Sequence, residues 1–204
     1  MTPQKLLALM ETSIIKTGLL KNTSVYGRPE KLTLTEEKFF KGVDAKGKSI
    51  PIYNLKQATG SGDEFLSYIC DYKRGELHYQ VLGREADFCF TITMNGCTFG
   101  VGAAASDGTV MVTHGNQADV KDGPDVPSGD MFAKQRTLAT QFHGPDVMLL
   151  EPSQYRPTNK ENISTFGIWM NGAWNFFYQS YQVVGSGQMQ LNGLFPFKTN
   201  MLTG

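Results

Sequence analysis

The stretch FGIWMNGAWNFFYQSYQ, residues 166–182, contains two aromatic-rich runs on either side of Asn171-Gly172. Apolar residues recur with a period near two in both runs, which is typical of strands that place one face on a core. An Asn-Gly pair favours a type I′ turn, because this turn needs positive φ at both of its central positions. The stretch therefore predicts a β-hairpin, and it indicates a protein built mainly from antiparallel sheet.

The flanking sequence predicts more strands and a few helices. The strand patterns are KLTLTE, EKFFKGV, SIPIYNL, FLSYICDYK and ELHYQVLG, and we expect the last two to form a hairpin around Arg74-Gly75. Thr2 and Pro3 are typical of a helix start, and the apolar spacing predicts a helix over about 3–17. A second helix is predicted from the N-cap Asp130 to the stop at Gly144, after an exposed loop over 121–129.

Length and composition narrow the fold class and the partners. With 204 residues the chain, residues 1–204, is expected to form a single α+β domain, mainly antiparallel β-sheet and sandwich-like, with a few flanking helices. Nineteen basic and nineteen acidic residues give no net charge, which disfavours nucleic acid and anionic membranes as partners. No signal-peptide pattern and no membrane-span pattern occurs, so we expect a soluble protein. We also expect a monomer.

The three cysteines, Cys70, Cys89 and Cys97, fit neither a disulfide framework nor a structural zinc site. We therefore expect reduced thiols, no metal and no cofactor. Cys70 and Cys89 lie inside strand patterns, where a buried structural role is expected. Cys97 differs because it follows Asn95-Gly96, at a break in the strand pattern.

A candidate catalytic core lies at residues 88–116. Thr91 belongs to the polar side of the strand FCFTITMN, and His114 ends the strand VMVTHGN that follows Cys97. A strict two-residue turn at Asp107-Gly108 would set His114 opposite Val101, about 13 Å along the strand from Cys97. We therefore expect a bulge or bend at Gly100 and Gly102, and a fold-back at Asn95-Gly96, which would bring the three side chains into one pocket.

Such a grouping has a chemical meaning. A histidine beside a cysteine favours the thiolate, which attacks carbonyl carbon, and a threonine hydroxyl can hold the imidazole in place. The backbone N–H groups of Gly96 and Cys97 are then candidates for binding a developing oxyanion. His78 lies in a strand pattern and His143 at a helix end, so both are expected to be structural.

The spacing of Thr91, Cys97 and His114 resembles that of the cysteine-dependent protein glutamine deamidases. These include the catalytic domains of the cytotoxic necrotizing factors, the Burkholderia lethal factor and the chemoreceptor deamidase CheD. The resemblance covers residues 88–116, and Asn95 stands where the toxins usually have serine before Gly-Cys. The length, the mainly β architecture and the lack of a zinc or nucleotide signature are also similar.

The resemblance implies a toxin or effector that converts a specific glutamine of a host protein to glutamate. It assigns Cys97 as the nucleophile, His114 as the general acid and base, and Thr91 as the residue that orients His114. Known targets in the family are Rho-type GTPases, a translation initiation helicase and chemoreceptors. It further implies synthesis in a bacterial cytoplasm and action in the cytosol of a host cell.

Two other functions are compatible with the sequence. A cysteine peptidase or a transglutaminase would use the same Cys97 and His114 pair. A non-catalytic β-module could instead bind a carbohydrate or a peptide through an aromatic groove. The residues expected to line such a groove are Trp169, Trp174, Phe176, Phe177, Tyr178 and Tyr181.

Overall fold

A computed structural model describes residues 1–18, 26–60, 63–117 and 129–197. Within these ranges the helices are α1 (Pro3–Thr12), α2 (Gly129–His143) and α3 (Pro152–Tyr155). The strands are β1 (Ile14–Thr17), β2 (Glu30–Glu36), β3 (Lys41–Val43), β4 (Ser49–Ile50), β5 (Ile52–Gln57), β6 (Glu64–Cys70), β7 (Glu76–Leu82), β8 (Phe88–Thr91), β9 (Thr98–Val101), β10 (Val110–Asn116), β11 (Met148–Leu150), β12 (Glu161–Met170), β13 (Ala173–Gly185) and β14 (Gln188–Phe197). The predicted loop over 121–129 lies outside the described residues, apart from the first residue of α2.

The described strands form two sheets that pack as a sandwich, so the predicted mainly β, α+β fold is confirmed. The larger sheet has the order β1-β5-β2-β6-β8-β12-β13-β14-β3-β4, and the smaller has the order β11-β9-β10-β7. Most neighbouring strands are antiparallel, whereas β1 with β5, β6 with β8, and β14 with β3 are parallel. No described helix has the length and apolar character needed to cross a bilayer.

The aromatic hairpin forms as the sequence predicts. Strands β12 and β13 pair over ten residues each, from Glu161 with Gln182 to Met170 with Ala173. Asn171 and Gly172 have φ values of 54° and 80°, which are the positive angles that a type I′ turn needs. The next Asn-Gly pair, Asn192-Gly193, is part of a β-bulge in β14, where the register with β13 shifts between Ser180 and Tyr181.

The first helix is shorter than predicted. It ends at Thr12 instead of residue 17, and residues Ile14–Thr17 form the edge strand β1. The side-chain amide of buried Gln179 donates to the carbonyls of Met10 and Ser13 and accepts from the N–H of Ile15. These three bonds replace hydrogen bonds that a longer helix would make, and the β-branched pair Ile14-Ile15 favours the strand.

The predicted hairpin between β6 and β7 is wrong, although both strands exist. Strand β6 lies between β2 and β8 in the larger sheet, whereas β7 pairs with β10 in the smaller sheet. The connection after Cys70 therefore carries the chain from one sheet to the other. The side chain of Gln80 on β7 donates to the carbonyl of Ile69 on β6 and helps to hold the two sheets together.

The fold has four layers: α1, the larger sheet, the smaller sheet and α2. The core under α1 is apolar, and it includes Leu6, Met10, Phe65, Phe88, Phe90 and Phe166. The core between the sheets includes all three cysteines together with Tyr68, Phe99, Val112, Trp174 and Phe176. Helix α2 covers the outer face of the smaller sheet, where Gln135 contacts Thr98 and His143 contacts Thr113.

Candidate functional site

Strands β9 and β10 pair in a register two residues away from the one that a tight turn would give. His114 lies opposite Phe99, and the pairing runs without a shift from Val112 with Val101 to Gly115 with Thr98. The expected bulge at Gly100 or Gly102 is therefore wrong, because the N–H of Gly102 donates to the carbonyl of Met111 in the same register. The connection is instead wider than a two-residue turn, with the N–H of Ala105 donating to the carbonyl of Thr109, and it moves His114 two residues nearer to Cys97.

Cys97 lies in the core between the sheets, which the strand of His114 borders. Thr98 points outward to Gln135 of α2, whereas Cys97 and Phe99 are part of the core between the sheets. Cys97 lies one residue before β9, and continued alternation of the side chains would place it on the diagonal from His114, which lies opposite Phe99. Diagonal neighbours across an antiparallel pair are typically about 7–8 Å apart.

The imidazole of His114 is fully buried and has one unpaired nitrogen. Its Nδ1 lies 3.5 Å from the carbonyl oxygen of Cys70, and its Nε2 has no hydrogen-bond partner among the described residues. A carbonyl can only accept, so this contact requires the hydrogen on Nδ1 and leaves Nε2 with a free lone pair. Burial lowers the pKa of His114 to about 4, against the opposing hydrogen bond to Cys70. At neutral pH the group is therefore a neutral base.

The thiol of Cys97 is buried as well, with a residue exposure of 5%. Burial raises the pKa of Cys97 to about 12, while a hydrogen bond with the backbone of Asn95 and the charge of Arg156 act in the opposite direction. The resting site therefore contains a neutral thiol and a neutral imidazole. This differs from the thiolate and imidazolium pair that the sequence suggested.

Thr91 makes no hydrogen bond with His114. Its hydroxyl lies 2.5 Å from the hydroxyl of Thr165 on the neighbouring strand β12. On its other side, Thr91 is in register with Cys70 of β6, whose carbonyl faces His114. The acceptor that orients His114 is therefore the carbonyl of Cys70, the residue of β6 that pairs with Thr91.

The segment Asn95–Cys97 is held by three side chains that follow it in the sequence. The guanidinium of Arg156 donates to the carbonyl of Asn95, Nε2 of Gln135 donates to that of Gly96 over 3.2 Å, and the hydroxyl of Tyr155 donates to that of Cys97 over 2.8 Å. Sequence reasoning missed these three donors. Their residue types and positions carry no recognisable motif, and only the packing of α2 and α3 brings them to the segment.

Tyr155 is also near the expected oxyanion donors. Burial raises the pKa of Tyr155 well above its ordinary value, and hydrogen bonding by the backbones of Gly96 and Cys97 opposes this rise. The hydroxyl of Tyr155 donates to the carbonyl of Cys97, so this buried phenol lies directly beside the segment whose N–H groups are the expected oxyanion donors.

The other cysteines and histidines lie where the sequence placed them. Cys70 and Cys89 are buried in β6 and β8, and burial raises the pKa of each thiol. His78 is paired across β7 and β10 with His114, and its Nε2 lies 3.3 Å from Glu76. His143 ends α2, and its Nε2 lies 3.0 Å from the hydroxyl of Thr113.

An aromatic cavity of about 520 Å³ lies at the far end of β9 from Cys97. Its walls include Trp169, Trp174 and Phe176, together with Val101 and Asp146. The other three aromatic residues expected in a groove lie elsewhere. Phe177 packs on the α1 side of the larger sheet, Tyr178 packs against the core between the sheets, and Tyr181 is buried in a separate cluster with Ile14 and Met189.

Within the described ranges, no group of three or more histidine, cysteine, aspartate or glutamate side chains is arranged to hold a metal ion. A comparison with protein-family models gives no match to this chain. Curated proteins likewise give no match to its sequence.

Proposed function

We propose that this protein is a cysteine-dependent protein glutamine deamidase with Cys97 as the nucleophile and His114 as the general base. The observation that carries the proposal is the unpaired Nε2 of buried His114, whose strand β10 borders the core that contains Cys97. The hydrogen bond of Nδ1 to Cys70 selects the tautomer in which Nε2 can accept the thiol proton. The similarity of residues 88–116 to the deamidases supports the choice of reaction.

The reaction begins with transfer of the Cys97 proton to Nε2 of His114. The thiolate then attacks the side-chain carbonyl carbon of glutamine, and the carbonyl electron pair moves to oxygen near the N–H groups of Gly96 and Cys97. When the tetrahedral intermediate collapses, the C–N bond breaks and His114 gives its proton to the departing ammonia. Water, deprotonated by His114, then cleaves the thioester, and glutamate and the free thiol are formed.

The pKa values require the site to open before the first step. Burial raises the pKa of the Cys97 thiol to about 12 and lowers that of the His114 imidazole to about 4, so proton transfer between them is much less favourable than at the ordinary values of 9.0 and 6.5. Entry of substrate and water into the site would expose both groups and make the transfer easier.

The expected substrate is a cytosolic protein of a host cell, in which the new carboxylate would disrupt a packed or switch site. The purified protein, its Cys97→Ser variant and a Cys89→Ala control would each be incubated with a eukaryotic cytosolic extract. We expect glutamine-to-glutamate conversion at one or a few tryptic peptides with the native protein and the control, and none with Cys97→Ser. Identical peptide maps for all three, in this extract and in a bacterial one, would refute the proposal.

The same experiment separates the other reactions of the pair. Adding a primary amine would label the target glutamine in a transglutaminase, because the amine takes the place of water in cleaving the thioester. A peptidase would instead create new peptide N-termini. Glutamate without amine incorporation and without chain cleavage identifies the deamidase.

A second function, ligand binding without catalysis, is favoured by the aromatic cavity. Trp169, Trp174 and Phe176 offer apolar surfaces, and Asp146 offers a polar contact, in a volume typical of ligand sites. Tryptophan fluorescence titrated with a panel of oligosaccharides and peptides would detect such binding. A response that Trp169→Ala removes and Cys97→Ala leaves unchanged, in a protein without turnover, would establish a binding module.

A further inference from the structure

The guanidinium of Arg156 lies beside the Cys97 segment with one of its nitrogens unused. One terminal nitrogen donates to the carbonyl of Asn95, and the other donates to the carbonyl of Asn159. Nε is buried and has no hydrogen-bond partner among the described residues. Both known acceptors are neutral, and no described carboxylate forms an ion pair with Arg156.

A buried N–H of a charged group is costly to leave unpaired, and guanidinium donors prefer anionic acceptors. The unused N–H therefore favours an acceptor, and an anion above all, that the described residues of the resting site do not supply. Arg156 binds the carbonyl of Asn95, two residues before Cys97, and its charge lowers the pKa of the Cys97 thiol. Tyr155, whose hydroxyl donates to the Cys97 carbonyl, shows the same effect of Arg156 on its pKa.

We infer that Arg156 forms an anion site that stabilises the Cys97 thiolate. The role of this site in catalysis rests on the proposed deamidation, in which the negative charge passes from sulfur to the substrate oxygen and back. Its effect on the thiol does not depend on any reaction. Arg156 supplies the positive charge that the pair of Cys97 and neutral His114 lacks in the resting protein.

A purely structural role for Arg156 predicts different behaviour. Glutamine at position 156 keeps an N–H donor for the Asn95 carbonyl but has no charge, whereas lysine keeps the charge and changes the geometry. If Arg156 only held the Asn95 carbonyl in place, glutamine would replace it at least as well as lysine. If Arg156 forms an anion site, lysine would keep the stabilisation of the Cys97 thiolate and glutamine would lose it.

The test is the pH dependence of alkylation of Cys97 by iodoacetamide in the native full-length protein, followed by mass spectrometry of the Cys97 peptide. Arg156→Gln is expected to slow alkylation at pH 8 about tenfold, which corresponds to a rise of about one unit in the apparent pKa of the thiol. Arg156→Lys should stay within about threefold of the native rate. Arg28→Gln, which removes the charge of an exposed arginine, should leave the rate unchanged.

The inference is overturned when Arg156→Gln matches the native rate, or when the lysine and glutamine variants are slowed alike. Alkylation of Cys89 in the same digests reports unfolding, because Cys89 is buried in β8. Where Arg156→Gln does not fold, the native protein alone provides the test. A preference of Cys97 for iodoacetate over iodoacetamide, relative to the ratio in urea-unfolded protein, supports the anion site, and an equal ratio refutes it.

The thiol measurement and the deamidation measurement have independent outcomes. A shifted alkylation profile with no deamidation in any extract would keep the anion site and refute the proposed enzyme. Deamidation that Arg156→Gln leaves at its native rate, with an unchanged alkylation profile, would keep the enzyme and refute the anion site.

Discussion

The hairpin of β12 and β13 and the hairpin of β9 and β10 each have an Xaa-Gly pair in their connection. Only the hairpin of β12 and β13 keeps the register of a two-residue turn. In the aromatic hairpin the pairing runs up to Met170 and Ala173, directly beside Asn171-Gly172. In the second hairpin the ladder stops at Val101, and a wider connection follows. A turn motif therefore fixes register only where the strands continue to the turn, and the hairpin that departs from this rule carries the candidate site.

The largest expected effect concerns the inward-facing histidine of β10. The pKa of His114 is lowered from 6.5 to about 4, so the unfolded chain binds more protons than the folded chain between these values. The stability that the folded protein has with neutral, buried His114 is fully present above pH 6.5 and is lost as the pH falls through 4. The free energy of unfolding should fall by about 3 kcal/mol from this group between pH 7 and pH 4.

Urea denaturation of the native protein, His114→Gln and His78→Gln over this pH range measures the effect. The pH dependence should become flatter in His114→Gln and should persist in His78→Gln, whose imidazole is partly exposed. An unchanged slope in His114→Gln would mean that β10 does not bury its histidine between the sheets.

The second prediction tests the register of β9 and β10. A methyl group at Gly100 would lie 2.5 Å from the hydroxyl oxygen of Thr113, which is directly opposite in this register. Thr113 also contacts His143, so it cannot move freely. Gly100→Ala should therefore lower the free energy of unfolding by about 2 kcal/mol, as measured by chemical denaturation.

Removing the opposing side chain should reverse part of this effect. The double variant Gly100→Ala, Thr113→Ala should show a favourable coupling energy of about 1 kcal/mol in a double-mutant cycle. In the register of a tight turn, Gly100 would lie opposite Gly115, and Thr113 would show no coupling. A zero coupling energy would therefore contradict the observed pairing.

The smallest expected effect belongs to the aromatic hairpin. Gly172 has a φ of 80°, and a Cβ at this position would meet nothing within 4 Å, so only backbone strain opposes a side chain. Gly172→Ala should lower the free energy of unfolding by about 1 kcal/mol without changing the register. Gly18→Ala, at a described site that is also open but has no positive φ, is the matched control in the same denaturation experiment.

The sequence predicts the architecture of this protein better than its connections. Alternation and turn chemistry locate the aromatic hairpin, the strand at residues 30–36 and the helix α2, because these depend on neighbouring residues. The early end of α1 depends on Gln179, which is 169 residues from the Met10 carbonyl that it binds. The assignment of β6 and β7 to different sheets likewise depends on partners far along the chain.

The candidate site shows the same limit. The sequence identifies Cys97 and His114 by residue type, and the strand that follows Cys97 proves to be a neighbour of the strand that contains His114. It assigns the orienting role to Thr91, because a backbone carbonyl such as that of Cys70 has no signature in the residue type. Tyr155 and Arg156 are also missed, since their contacts with residues 95–97 depend on where α3 packs.

The three side chains that donate hydrogen bonds to the segment Asn95–Cys97 are all synthesised after it. Asn95 and Cys97 leave the ribosome well before their partners, since Arg156 follows Asn95 by 61 residues and Tyr155 follows Cys97 by 58. At about 5–20 residues per second, the growing chain lacks these partners for roughly 3–12 seconds. The thiol segment therefore acquires its final shape only late in translation, and a truncated product ending before α2 would contain Cys97 without any of the three donors.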